Sequence, residues 1–283
     1  MKERAELVAK LVERKIGRKT SIAEVLKNNK KVYGIAIETE QKGVCVNIYI
    51  DDMYYLENEK IADKVIAAFE ESKTPKFDVE RLSTKEYILD HVIPYVIGKR
   101  GNQELLAKNA NVQFLDLAYT FRVMIPGEGS YLLTNDMVEK IGSNVPELFR
   151  RARENMVRDY KTKIIPIENA VASILGQCEE SDKDIPDEEC QMAVLTNTEK
   201  LYGANGLLRK DLLKKYAERI GKDLYILPSS VHELLVVPKG FVDVEQLREM
   251  VREVNDNEVD DVDILSYTVY EYNRVLDNIS VAS

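Results

Sequence analysis

The chain has 283 residues, 45% of them hydrophobic and 31% charged, enough for one large core or two moderate ones. A formal net charge of −9 repels phosphate at long range, which disfavours nonspecific binding to nucleic acid or to an anionic membrane surface. Three cysteines (Cys45, Cys178, Cys190) and two histidines (His91, His232) lack zinc-ligand spacing, so neither a metal nor a cofactor is expected.

In chain order, Leu7, Val8, Leu11, Val12 and Ile16 fall on one helical stripe over 2–16, closed by Gly17. Strands are expected at about 20–27, 31–39 and 44–50, the first two joined by Asn28-Asn29. A helix over 58–72 follows, with Asn58 as its cap. Ser83-Thr84-Lys85-Glu86 is a capping box for a short helix, and His91–Ile97 reads as a strand that Pro94 confines to an edge. A strand pair over 112–125 and 130–134 turns around Pro126–Gly129, and 145–160 is an amphipathic helix.

Between Glu179 and Glu189 seven of eleven residues are acidic, the composition of a solvated loop. Beyond it come strand 191–197, helix 204–220, strands 223–228 and 233–237, helix 244–254 and strand 264–272. The fold class is therefore α+β: an N-terminal mixed subdomain (1–165), an acidic linker (166–190) and a C-terminal β-α-β-β-α-β unit (191–283). That order fits a mostly antiparallel split βαβ sheet with both helices on one face. Leu133-Thr134-Asn135 and Leu195-Thr196-Asn197 echo one another, each delivering an Asn into a loop before a helix.

The densest reactive cluster is Ser229, Ser230, His232 and Glu233, inside the turn Pro228–Glu233 between two apolar runs. It invites a hydrolase reading, with hydroxyl nucleophile, imidazole base and carboxylate orienter. Against this, triads draw their members from separate segments, and no Gly-x-Ser-x-Gly elbow is present. The alternatives are a turn held by hydroxyl–backbone bonds, or a small-ligand pocket using Asn135, Asn197, Ser230 and His232. Asp256–Asp260 begins like a calcium loop but has Asp261 at the glycine position and Tyr267 at the twelfth, which excludes it. Walker and Gly-x-Gly-x-x-Gly motifs are absent. Arg150, Arg151, Arg153 and Arg158 form a basic cluster read as a solvated helix face.

Several segments together resemble a family of bacterial proteins defined only as a domain of unknown function. They are Val25–Asn29, Ile48-Tyr49-Ile50-Asp51-Asp52, Phe114–Ala118, Ala193–Asn197, Gly203-Ala204, Ile226–Glu233 and Leu265-Ser266-Tyr267. Where the family tends to have Pro-Thr before the Ile-Tyr strand, this chain has Val46-Asn47. The resemblance implies no activity and, through some relatives, a link to mobile elements.

The expectation is a cytoplasmic, non-enzymatic interaction or ligand-sensing protein whose partner is a protein or a small molecule. No apolar signal core follows Met1, and no run reaches the roughly 18 apolar residues of a membrane span. The alternatives are a hydrolase using Ser229 or Ser230 with His232, and a nucleic-acid-associated accessory factor of a mobile element using Arg150–Arg158.

Overall fold

Ala5, Val8, Ala9 and Val12 bury one face of α1 (Lys2–Ile16), and Gly17 ends it at φ 66°, donating its N–H to Glu13 O. That left-handed conformation is why glycine closes the helix. The computed structural model describes residues 1–41, 43–72, 78–174, 185–186, 192–228 and 230–283. Contacts divide the chain into Met1–Leu82 and Ser83–Ser283.

In the first unit, β1 (Thr20–Lys27), β2 (Lys30–Glu38) and β3 (Cys45–Tyr49) form an antiparallel meander in that order. Asn29, at φ 56°, is the left-handed residue of the Asn28-Asn29 turn, a conformation that asparagine tolerates. Helices α2 (Asn58–Glu71) and α3 (Val79–Leu82) follow. Ile35, Ile37 and Ile50 pack with Val8 and Val12 of α1 and with Ile61 and Val65 of α2. Each such side chain contributes about 1.5–3 kcal/mol through burial. Asn58 does not cap α2 but begins it, and its Oδ1 accepts from Arg4 Nε at 2.8 Å. Asp51 Oδ2 accepts the Tyr33 N–H at 2.7 Å, prolonging the ladder past the end of β3.

The second unit opens with α4 (Lys85–His91), whose cap Thr84 accepts the Tyr87 N–H. Strand β4 (Val92–Gly98), α5 (Gln103–Lys108), β5 (Asn111–Phe114), β6 (Leu117–Ile125) and β7 (Gly129–Leu132) come next. The sheet order is β4-β6-β5 with β7 also on β6, so β4 is an edge strand, where Pro94 is tolerated. The single strand expected over 112–125 is in fact a hairpin, because Leu115 at φ 50° and Asp116 turn the chain between β5 and β6. Helices α6 (Asn135–Lys140) and α7 (Val145–Asp159) are capped by Thr134 and Asn144. Phe149 of α7 meets Tyr119 and Phe121, which lie on one face of β6.

The chain continues through β8 (Thr162–Pro166), α8 (Ile167–Ile174), β9 (Ala193–Asn197) and a 3-10 turn, Gly203–Leu208. Then come α9 (Lys210–Ile220), β10 (Leu224–Leu227), β11 (Leu234–Pro238), α10 (Val244–Asn257), β12 (Tyr270–Asn273) and β13 (Asn278–Val281). These strands make a six-stranded sheet in the order β13-β12-β10-β11-β9-β8, antiparallel at every step. The chain is α+β, with the expected β-α-β-β-α-β order running from β9 to β12. Residue 165, placed by the sequence at a subdomain boundary, lies in β8, which pairs with β9. The acidic stretch falls outside the described residues apart from Ile185 and Pro186.

Strand pairing corrects the helix placement. In the order β9-β11-β10-β12 the unit β9-α9-β10 straddles β11, and β11-α10-β12 straddles β10. The two crossovers advance the same way across the sheet on oppositely directed strands, so right-handedness puts their helices on opposite faces. Leu247 and Val251 of α10 pack on Tyr225, Leu227 and Val237. Gly206, just before α9, lies against Leu195, which stands opposite Leu234 on the other face.

Asp116 explains why strand 264–272 shrinks to Tyr270–Asn273. Its carboxylate accepts from Ser266 Oγ at 2.6 Å, Thr268 Oγ1 at 2.9 Å and Tyr270 OH at 2.6 Å. The segment before β12 is thereby drawn onto the β5–β6 turn. Nearby, a Cβ at Gly98 would stand 2.4 Å from Leu265 O, so the backbones approach too closely for any larger residue. Asp116→Ala leaves three hydroxyls without their acceptor, one of them on the fully buried Tyr270. The expected loss is about 2–4 kcal/mol of unfolding free energy, read from urea denaturation.

Candidate functional site

Two loops of the second unit converge on the Pro228–Glu233 turn. Ala204 donates its N–H to Val231 O, Val231 to Asp263 O and Ser266 to Pro228 O. Ser230 also forms an isolated bridge with Ile264. A Cβ at Gly203 would lie 2.3 Å from His232 O and 2.8 Å from Thr196 Oγ1. Only glycine permits that approach, so the 198–204 loop is seated directly on the turn.

His232 is fixed at both ring nitrogens. Nδ1 accepts the Tyr202 N–H at 3.3 Å, which leaves the proton on Nε2, and Nε2 faces Asp263 Oδ1 at 3.3 Å. The Tyr202 ring stacks on the imidazole, with centroids 5.7 Å apart and planes 18° apart. Ser230 Oγ accepts the His232 backbone N–H at 3.0 Å, a turn-stabilising bond rather than a contact with the ring. Glu233 is exposed, and the carboxylate beside the imidazole comes from Asp263 instead. Ser229 lies outside the described residues.

The stack continues into the four-stranded sheet. Tyr95 of β4 meets Tyr202 edge-on at 4.9 Å. The Arg122 guanidinium lies 4.4 Å from the Tyr95 ring centre and 5.3 Å from that of Tyr202. Register explains the meeting: Tyr95 pairs with Thr120 and Ile93 with Arg122, so Tyr95 and Arg122 are diagonal neighbours on one face. Arg122 donates to Ser130 Oγ at 2.9 Å, its Nε is buried without a partner, and it faces no carboxylate among the described residues. Burial pushes the Tyr95 hydroxyl up to about 12, and Arg122 only partly opposes that shift. Asp263, His232, Tyr202, Arg122 and Tyr95 thus form one continuous ladder.

The turn that carries Tyr202 is anchored by Asn205, which is 4% exposed. Asn205 Oδ1 accepts the Val96 N–H at 3.1 Å, and Nδ2 donates to Pro94 O at 2.5 Å. A side-chain amide therefore completes the free edge of β4 on either side of Tyr95.

The remaining sequence candidates are used within their own turns. Asn197 Nδ2 donates to Leu201 O at 2.8 Å and Oδ1 accepts the Leu201 N–H at 3.3 Å. Asn135 begins α6 and donates to Ala107 O at 2.9 Å. The two Leu-Thr-Asn segments differ in chemistry, since Thr134 caps a helix whereas Asn197 clasps a loop. In the basic cluster, Arg150 pairs with Glu154, Arg151 with Glu154 and Asp90, and Arg158 with Asp159 and Asp90. Most of that face is internally neutralised.

Residues 2–274 match the model of a family described as a family of unknown function, DUF5688. The chain belongs to that family. No curated protein and no solved structure matches it. Within this DUF5688 chain, the resemblance segments Phe114–Ala118, Gly203-Ala204, Ile226–Glu233 and Leu265–Tyr267 hold Asp116, Gly203, His232 and Ser266, the residues that join loops to sheets. Sequence reasoning missed Tyr95, Arg122, Tyr202 and Asp263. For Tyr95 and Arg122 the available signal was strand alternation, which puts each on a definite face once the register is known. Tyr202 and Asp263 carried none.

The raised tyrosines set an alkaline limit. Below the ordinary phenol value of 10.0 their contribution is complete; as pH rises from there through about 12, the folded state holds protons that the unfolded chain releases, and stability falls. Tyr95 and Tyr131 both titrate in that window. Unfolding free energy measured from pH 9 to pH 12 is expected to decline, and Tyr95→Phe to make the decline shallower by about 2–3 kcal/mol across the range. An unchanged slope in the variant would contradict the assignment.

Proposed function

We propose that this is a non-enzymatic, cytoplasmic ligand-sensing protein that reads an anionic group through Arg122, with Tyr95 and Tyr202 as stacking surfaces. The observation that carries the reading is the state of Arg122. A guanidinium part-buried between two aromatic rings, whose partners among the described residues are neutral hydroxyls and whose Nε has none there, retains donors for a carboxylate or phosphate. His232 holds Tyr202 in place by accepting its backbone N–H and stacking on its ring, and Asp263 faces the other ring nitrogen.

The hydrolase alternative is weaker on chemical grounds. A general base needs a free nitrogen within reach of the nucleophile, and both ring nitrogens of His232 are already engaged, by Tyr202 N–H and by Asp263. Ser230 Oγ is itself the acceptor for the His232 N–H.

Calorimetric titration with phenyl phosphate and benzoate, against benzyl alcohol as the neutral control, tests the proposal. Saturable binding of at least one anion is expected, weakened tenfold or more by Arg122→Gln, with no response to the alcohol. Equal affinity of wild type and Arg122→Gln would refute it. So would ester hydrolysis above background that disappears in His232→Ala.

A further inference from the structure

On the opposite side of the four-stranded sheet from Arg122, helix α7 and the start of α9 border a groove of about 820 Å³. Its apolar wall comes from Phe149, Met156 and Val157 of α7 and from Leu208 at the end of the 3-10 turn. Val157 is 53% exposed although it lies on the stripe of Phe149, at i+8, so no described residue covers this part of the wall. The volume is that of a small-molecule site, in which a few polar groups fix the orientation of a mostly apolar ligand.

Charge on the groove is nearly balanced, and the balance identifies the missing group. Arg150 is paired with Glu154 at 2.8 Å, and Arg209 grips Asp211 through two hydrogen bonds of 2.8 and 2.7 Å. Those pairings hold the Glu154 and Asp211 carboxyls below the usual carboxylate range. Arg153, one turn from Phe149 and one from Val157, has no acidic partner among the described residues. Its guanidinium lies 5.8 Å from the Phe149 ring centre. Among the described residues one unbalanced cation therefore sits beside Phe149, at one end of an apolar wall that runs through about two turns of helix.

We infer that this groove binds a monoanionic amphiphile, its apolar body along Phe149, Met156, Val157 and Leu208 and its single acidic group on Arg153. A cation would meet Arg153 unfavourably. A polyanion would need further free donors, and the neighbouring arginines are already committed. This site is independent of the anion reading at Arg122, which occupies the other face of β6.

Calorimetric titration of the full chain with decanoate, decanol and decyltrimethylammonium, each below its aggregation threshold, tests the inference. Decanoate is expected to bind one molecule per chain, at least tenfold more tightly than decyltrimethylammonium. Arg153→Gln, at an exposed position, should leave the melting temperature unchanged, lower decanoate affinity about tenfold and leave decanol unaffected. Val157→Asp should abolish decanoate binding, whereas Arg122→Gln should not change it. Decanoate binding that is absent, equal to that of the cation, or indifferent to Arg153→Gln overturns the inference. Salt-dependent binding of a single-stranded oligonucleotide that vanishes in Arg153→Gln would overturn it in favour of a nucleic-acid face.

Discussion

The amide of Asn205 is the contact on which the candidate site depends. An edge strand presents unpaired N–H and C=O groups, and those of β4 at Pro94 and Val96 point away from β6. Asn205 satisfies both, so the Gly203–Leu208 turn takes the position of a neighbouring strand for one residue. Because Tyr95 lies between the two bonded residues and Tyr202 begins the turn, the same clamp brings their rings together. Arg122, diagonal to Tyr95 across the sheet, is then enclosed without any further device.

A second side chain acts on the other end of the same unit. Asp116 gathers three hydroxyls from the chain leading into β12, and a glycine at position 98 lets Leu265 approach the end of β4. Both joints use a polar group with its partners satisfied, which the low dielectric of the interior makes directional and costly to break. Asp263 and Ser266 lie on the segment so anchored, so the partner of His232 is positioned by the same joint. Ser230 and His232 are thus bonded within the turn and to the loops around it, and the buried Arg122 Nε, with no partner among the described residues, lies on β6 across the Tyr202 ring.

Much of this was legible in the sequence and some was not, for physical reasons. Periodicity and capping residues gave α1, α4, α7 and α10 and the central hairpin of β10 and β11, because apolar stripes and Ser, Thr, Asn or Asp caps act locally. The hairpin at Leu115-Asp116 was hidden because apolar residues continue on both sides of it. Its cause is a carboxylate bonded to residues about 150 positions away. The faces occupied by α9 and α10 depend on strand order, which element order does not contain. His232 drew attention through its neighbours Ser230 and Glu233, yet its partners are Tyr202 and Asp263, supplied by distant loops. Arg122 carried no motif at all; what distinguishes it is the absence of a carboxylate among its described neighbours.

The claim that the Asn205 clamp sets the geometry of the site is tested most directly by hydrogen exchange at the Val96 amide. On an open edge strand this N–H would exchange freely with water. With Asn205 in place it is expected to exchange as slowly as the buried amides of β6, and Asn205→Ala should release it selectively. Rapid exchange at Val96 in the unaltered chain, with β6 still protected, would contradict the account.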